Sequence, residues 1–167
     1  GMPQITLVLH NIRSTHNVGS IFRSAEGFGV TAIILSGYTP YPSHAGDTRL
    51  PHIAEKITKQ IHKTALGAET MLPFYYYDTL EEWLNLNRQQ PNPLPIIALE
   101  QATNSRNMRD VHPPDAFALL LGEEVDGINL HYLSMCDEII EIPMTGKKES
   151  FNVSVAAGIA LYALTSH

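Results

Sequence analysis

The chain alternates short apolar runs with longer amphipathic stretches. Residues 5–9 form an apolar run of strand length, and Val18, Ile21, Phe22 and Ala25 then recur with a helical period that closes at Gly27 and Gly29. A second buried strand is predicted over 32–35. Residues 36–51 hold Gly37, Pro40, Pro42, Gly46 and Pro51 and predict a long loop, of a size that is often functional in compact domains. A helix over 52–66 follows, with Ile53, Ile57 and Ile61 on one side. Then come a strand over 72–77, a helix over 80–87 and a Pro/Asn-rich connection over 89–95. In the second half, 96–99, 117–121 and 138–142 read as buried strands, and Val153, Ala156, Ala157, Ala160, Leu161 and Leu164 share one stripe of a final helix. This alternation predicts an α/β domain: a mostly parallel sheet flanked by helices, with its ligand beyond the carboxyl ends of the strands.

At 167 residues, 44% of them hydrophobic, the chain is expected to form one domain with a real core. Gly1 precedes Met2 and is set aside as a remnant of tag removal, which gives a single domain over 2–167. No apolar run approaches the length of a membrane span and no signal peptide opens the chain. The single cysteine, Cys136, excludes an intrachain disulfide and a cysteine metal cage, and points to a reducing, cytoplasmic setting. A formal net charge of −6 argues against an unspecialised nucleic-acid binder. The cations are unevenly placed, however. Arg13 and Arg23 lie near the start, Arg49, Lys56, Lys59 and Lys63 in one stretch, and Arg106 with Arg109 and Lys147 with Lys148 form pairs. Singly, each fits a solvated face; any RNA surface must be local.

Three loops carry candidate chemistry. In Asn17-Val18-Gly19-Ser20-Ile21-Phe22-Arg23, the apolar residues turn inward, Gly19, Ser20 and Arg23 share the other face, and Asn17 is expected at the N-cap. An arginine one turn beyond a glycine can reach a phosphate or ribose, although alone the segment reads as a capped surface helix. In Gly122-Glu123-Glu124-Val125-Asp126-Gly127, a buried strand runs into a glycine and three acids. Gly122 lets a ligand approach the backbone, Glu124 is the candidate functional acid, and Glu123 and Asp126 read as an acidic turn. In the third loop, Ile142-Pro143 ends a strand, a segment containing Gly146 follows, and Ser150 or Asn152 caps a helix rich in alanine and glycine. No Gly-x-Gly-x-x-Gly follows a strand, which argues against a Rossmann dinucleotide site. The eight histidines show neither His-x-His nor His-Glu-x-x-His spacing, which argues against a metal-dependent hydrolase.

In this order, each after a strand, the loops resemble those of the SpoU/TrmH family of RNA ribose 2′-O-methyltransferases, part of the SPOUT class. Asn17, Gly19 and Arg23 match the first motif, Gly122, Glu124 and Gly127 the second, and Ile142, Pro143, Met144, Gly146, Ser150, Asn152, Val153 and Ser154 the third. Lys63–Glu69 is also familiar from close relatives, so the resemblance covers essentially the whole chain. It implies a C-terminal trefoil knot over roughly 117–165 and a homodimer with its active sites at the interface. It also implies S-adenosylmethionine bound bent in the knotted loops, S-adenosylhomocysteine as product and no metal. Leu99, Glu100, Leu121, Gly122, Ile142, Met144, Ser150 and Phe151 would line the cofactor pocket, with Leu99 and Ile142 flanking the adenine.

The resemblance assigns Arg23 to the ribose and phosphate of the target nucleotide. The high pKa of a guanidinium argues against a general base and for positioning and stabilisation of developing alkoxide charge. Asn17, Glu124, Ser150 and Asn152 would orient Arg23 and the target oxygen. Phe151 stands where leucine is usual. The chain is expected to do without the N-terminal substrate-recognition domain of the ribosomal-RNA subfamily and the C-terminal extension of some transfer-RNA enzymes. Substrate choice is therefore expected to rest on the catalytic domain itself, with RNA contacts at Arg13, Arg23 and above all the 36–63 region with Arg49, Lys56, Lys59 and Lys63, and with transfer RNA preferred over ribosomal RNA by analogy with single-domain relatives. The alternative is a non-catalytic SPOUT-fold module that binds RNA or nucleotide; the presence of Arg23, Glu124 and Asn152 together speaks against it.

Overall fold

The computed structural model describes residues 2–165; the Gly1 expectation lies outside them. Seven strands form one sheet: β1 (Gln4–His10), β2 (Ala32–Ser36), β3 (Phe74–Tyr77), β4 (Ile96–Leu99), β5 (Arg106–Asn107), β6 (Ala116–Leu121) and β7 (Glu138–Glu141). Their order is β3-β2-β1-β6-β4-β7-β5, and every pairing is parallel. The central pair, β1 and β6, aligns Leu7 with Leu119 and Leu9 with Leu121. Both read as nearly continuous apolar runs because both faces of a parallel sheet are covered.

Five helices supply the cover: α1 (Thr15–Gly27), α2 (Pro51–Ala65), α3 (Leu80–Arg88), α4 (Leu130–Leu133) and α5 (Val153–Thr165). α1, α2 and α5 pack Phe22, Ile61 and Leu161 against Leu7, Phe117 and Leu119 on one face. α3 and α4 pack Leu80, Trp83 and Leu133 against Val8, Ala118 and Leu120 on the other. The strand at 72–77 begins at Phe74 and the one at 138–142 stops at Glu141. β5 carries no apolar signal; it is an edge strand held to β7 by its ladder and by an Arg106–Glu138 ion pair at 2.7 Å.

Two local expectations are corrected. Ser14, not Asn17, caps α1: its Oγ accepts the Asn17 N–H at 3.1 Å, and Asn17 sits in the first turn. On α2 the inward stripe runs through Ala54, Ile57, Ile61 and Ala65, which leaves Ile53 exposed. The expected long loop between Ser36 and Pro51 is irregular but pinned. Buried Thr39 donates from Oγ1 to the carbonyls of Leu9 and Ser36 and accepts the Ile12 N–H. The chain builds β1, β2 and β3 outward on one side, then crosses to β4 beyond β6. The carboxyl ends of β1, β6 and β4 therefore open at a topological switch point. Among the described residues, no helix is long and apolar enough to cross a membrane.

Candidate active site

The turn after β6 is shaped by two glycines. Gly127 has φ +69° and its N–H donates to the Glu123 carbonyl at 2.9 Å, closing the turn. Glu100, just beyond β4, lies under it: Oε2 accepts the Ile128 N–H at 2.8 Å and Oε1 the Gln101 N–H at 3.0 Å. A Cβ at residue 127 would come within 2.1 Å of Glu100 Oε2, and one at Gly122 within 2.5 Å of Ile128 Cγ1. Both positions therefore admit only glycine without rearrangement.

Above this turn lies a hollow floored by the ends of β4, β6 and β7. Leu99, Glu100, Leu121, Gly122, Ile142, Ser150 and Phe151, seven of the residues that the resemblance assigns to the cofactor, line it. Met144 does not. β7 ends at Glu141 and Pro143 lacks an N–H for the ladder, so the alternation that would align Met144 with Ile142 no longer holds. Leu99, Ile142 and Phe151 give the hollow apolar surface. Its lining carries Glu100, Glu123, Glu124, Asp126, Glu141 and Glu149 and, among the described residues, no lysine or arginine. That set of acceptors suits a ligand with net positive charge and opposes a nucleotide diphosphate. S-adenosylmethionine fits on both counts, with an aromatic base for the apolar walls and a sulfonium and an ammonium for the acids. Among the described residues, no group of three or more His, Cys, Asp or Glu is arranged to hold a metal.

The expected catalytic residues divide. Glu124 and Ser150 line the hollow. Buried Asn17 joins them: its Nδ2 donates to Glu124 Oε1 at 3.3 Å, across 107 residues of chain. Asn152 lies outside the lining. Its Oδ1 accepts the Ser154 N–H at 2.9 Å and its carbonyl the Ala156 N–H, so it caps α5. Arg23 is exposed about 9 Å farther along α1 than Asn17. It borders a separate hollow with Ser20, Ser24, Lys63, Thr64 and Leu66. Gly19 does not share that open face. A Cβ there would lie 2.0 Å from Thr64 Oγ1 and 2.3 Å from the Ile61 carbonyl, so this glycine serves the crossing of α1 and α2.

The basic residues divide as well. Lys56, Lys59 and Lys63 line one exposed stripe of α2, and Lys63 continues it to Arg23. Arg13 is exposed, with its guanidinium 5.2 Å from the Tyr38 ring centroid. Arg49 is not available to RNA as expected. It bonds both carboxylate oxygens of Asp47 and the carbonyls of Tyr41 and Pro42, and stacks 3.6 Å over the Tyr41 ring.

A polar cluster absent from the sequence reading lies beside the hollow. His10 Nδ1 meets Ser36 Oγ at 2.8 Å, at the ends of β1 and β2. The His10 ring stands edge-on to Tyr132, whose hydroxyl donates to Glu81. Burial and then that carboxylate push Tyr132 up to about 12, and burial lowers His10 against the pull of Glu81 and Glu123. A polar residue closing each of two apolar runs was the available signal.

Seven parallel strands in this order, with a pocket at the strand ends, define a SpoU-type α/β methyltransferase fold. The crystal structure of an AdoMet-bound rRNA methyltransferase from Sinorhizobium meliloti superposes with a TM-score of 0.80 at 21% identity, covering 100% of this chain and 57% of that one. The chain belongs to the SpoU rRNA Methylase family, whose family model matches residues 4–162. It is 34% identical over 163 residues to the 23S rRNA (guanosine-2'-O-)-methyltransferase RlmB of Xylella fastidiosa and 31% identical over 160 residues to that of Coxiella burnetii. These alignments cover 97% and 96% of this chain, but 58% and 57% of the relatives, so the chain spans under two thirds of their length.

Proposed function

We propose that this chain is an S-adenosylmethionine-dependent methyltransferase acting on a ribose 2′-hydroxyl of RNA. The observation that carries the reading is the acid-rimmed hollow built from the second and third motifs and tied to the first by the Asn17–Glu124 hydrogen bond. Relatives named as 23S rRNA methyltransferases favour ribosomal RNA as the substrate. They lend no support to the transfer-RNA preference expected by analogy with single-domain relatives, and that preference is dropped.

S-adenosylmethionine, when bound, would supply an electrophilic methyl group to an in-line hydroxyl oxygen, the C–S bond breaking as the C–O bond forms, with S-adenosylhomocysteine leaving as the neutral thioether and the hydroxyl proton lost to solvent. In this chain Leu99 and Ile142 would flank the adenine, Gly122 would admit the donor close to the backbone, and the acids would complement its positive charge. Arg23 holds the ribose and phosphate of the target nucleotide and stabilises charge developing on its 2′ oxygen. Glu124, fixed by Asn17, and Ser150 orient the hydroxyl. Asn152 acts one step back, by fixing the start of α5 beside Ser150 and Phe151.

Arg23 lies away from its own chain's hollow, which supports a homodimer in which each pocket receives the partner's arginine. α5 supports it too: beyond its buried stripe, Val155 and Tyr162 leave apolar surface exposed. We further infer, by the family resemblance, a trefoil knot over roughly residues 117–165 within one domain, and the lone, half-buried Cys136 suits a reducing cytoplasm.

The test is calorimetric titration with S-adenosylmethionine, followed by transfer of its labelled methyl to unmodified ribosomal RNA. Wild type binds and transfers. Arg23→Ala keeps cofactor affinity within about twofold and loses transfer by about 10²–10³-fold, the scale of removing one charge-stabilising donor. Wild-type transfer by Arg23→Ala would contradict the assignment, and a wild type that binds no donor would contradict the function.

A further inference from the structure

Positive and negative charge occupy different faces of this molecule. The cofactor hollow is lined by six acids, while four of the chain's 11 lysines and arginines gather on α1 and α2. Lys56, Lys59 and Lys63 follow one another at three and four residues, so they share one face of α2 in a row about 10 Å long. At the end of the row Lys63 borders the same hollow as Arg23, together with the hydroxyl-bearing Ser20 and Ser24 of α1. His52 stands at the other end, and among the described residues Glu55 is the one acid beside the row or that hollow. All four cations are exposed. Among the described residues, none of the four enters an ion pair or a hydrogen bond. Arg49, by contrast, is held by its own loop.

Like charges three and four residues apart oppose the helix that carries them, and an anion laid along the row removes that opposition. The anion must be extended and multiply charged, because the cations are spread along a helix and not gathered round a point. In a chain of formal net charge −6, it must also lie here and not across the acids of the cofactor hollow. An RNA backbone meets both conditions. One helix face presents a single row, which can follow the phosphates of one strand. A duplex presents two rows across a wide, shallow groove, and the second would lie beyond the reach of α2.

We propose that Lys56, Lys59 and Lys63 form a track for successive phosphates of one unpaired RNA strand, the strand that continues from the nucleotide held at Arg23. This rests on the methyltransferase reading, which puts the target nucleotide at Arg23, and adds to it the course of the flanking chain. The polyanion then keeps to the basic face and only the target ribose approaches the acids that hold the cationic donor.

The test is the salt dependence of RNA binding. A fluorescent RNA dodecamer, unpaired or annealed to its complement, is titrated with the chain over a range of salt concentrations. Each phosphate neutralised on a single strand contributes about −0.7 to the slope of log affinity against log salt. A triple variant carrying Lys56→Gln, Lys59→Gln and Lys63→Gln should therefore bind the unpaired strand more weakly, with a slope shallower by about two. Its circular dichroism and its S-adenosylmethionine affinity should match wild type. Arg109→Gln, which removes an exposed cation just after β5, should leave the slope unchanged. Wild type should bind the unpaired strand more tightly than the duplex. A wild-type slope in the triple variant would overturn the track, whether or not the variant loses binding to phosphatidylserine vesicles, a loss that would assign the row to a membrane. A duplex bound as tightly as the single strand, or a loss of slope in Arg109→Gln, would overturn it too. The predicted loss of slope in a protein that transfers no methyl group would instead contradict the methyltransferase reading and leave the track standing.

Discussion

The guanidinium of Arg49 closes its own loop. With four hydrogen bonds to Asp47, Tyr41 and Pro42 and a stack on Tyr41, it replaces the backbone ladder that the segment from Gly37 to Leu50 lacks. Arg49→Ala should cost about 1–3 kcal/mol, the range for charge-assisted hydrogen bonds in a mostly buried pair. Arg49 holds the Asp47 carboxyl well below its ordinary value. The contribution is thus complete above the unfolded carboxylate pKa of about 3.9 and is lost as pH falls toward the folded value. In urea titrations, the gap between wild type and Arg49→Ala should be constant from pH 7 to about pH 5 and should narrow in stronger acid. A gap that widened on acidification would contradict the pairing. From sequence, Arg49 is indistinguishable from Lys56 or Lys59, since nothing in its spacing reveals that Asp47 and Tyr41 fold back onto it. Glu124 and Gly127 were legible because a strand, a tight turn and an acid at its lip belong to one continuous segment.

Among the elements, the crossing of α1 and α2 shows the limit of helical-face reasoning. One apolar stripe on α1 implies an open opposite face, yet Gly19 on that face meets the backbone of α2. A small residue gives no hydrophobic signal even where two helices touch. Gly19→Ala gains about 1 kcal/mol of helix propensity but forces the helices apart. It should lower stability by about 1–3 kcal/mol, measured by thermal unfolding. An unchanged or raised midpoint would return Gly19 to the ligand face. The start of α1 was readable in part: a cap was expected at Asn17, and the helix begins within one turn of it, after Ser14. β5 and α4, of two and four residues, are too short for any period to register.

For the whole molecule, the strand alternation, the parallel sheet and the pocket at its carboxyl edge all follow from sequence, because hydrophobic runs and glycine breaks are local. The placement of Arg23 does not, since it depends on what covers α1 and α5. An interface there predicts that Val155→Glu, on the exposed side of α5, shifts sedimentation equilibrium from dimer to monomer and removes methyl transfer with it. A wild-type protein that is monomeric and fully active would contradict shared pockets. Methylation of a ribose 2′ oxygen, the central claim, has a chemical signature of its own, because it blocks alkaline cleavage of the adjacent phosphodiester. Ribosomal RNA labelled by the wild-type protein with methyl-labelled S-adenosylmethionine should, after complete alkaline hydrolysis, carry its label in an alkali-resistant dinucleotide. Label recovered in mononucleotides, as base methylation would give, or no label at all, would contradict the account.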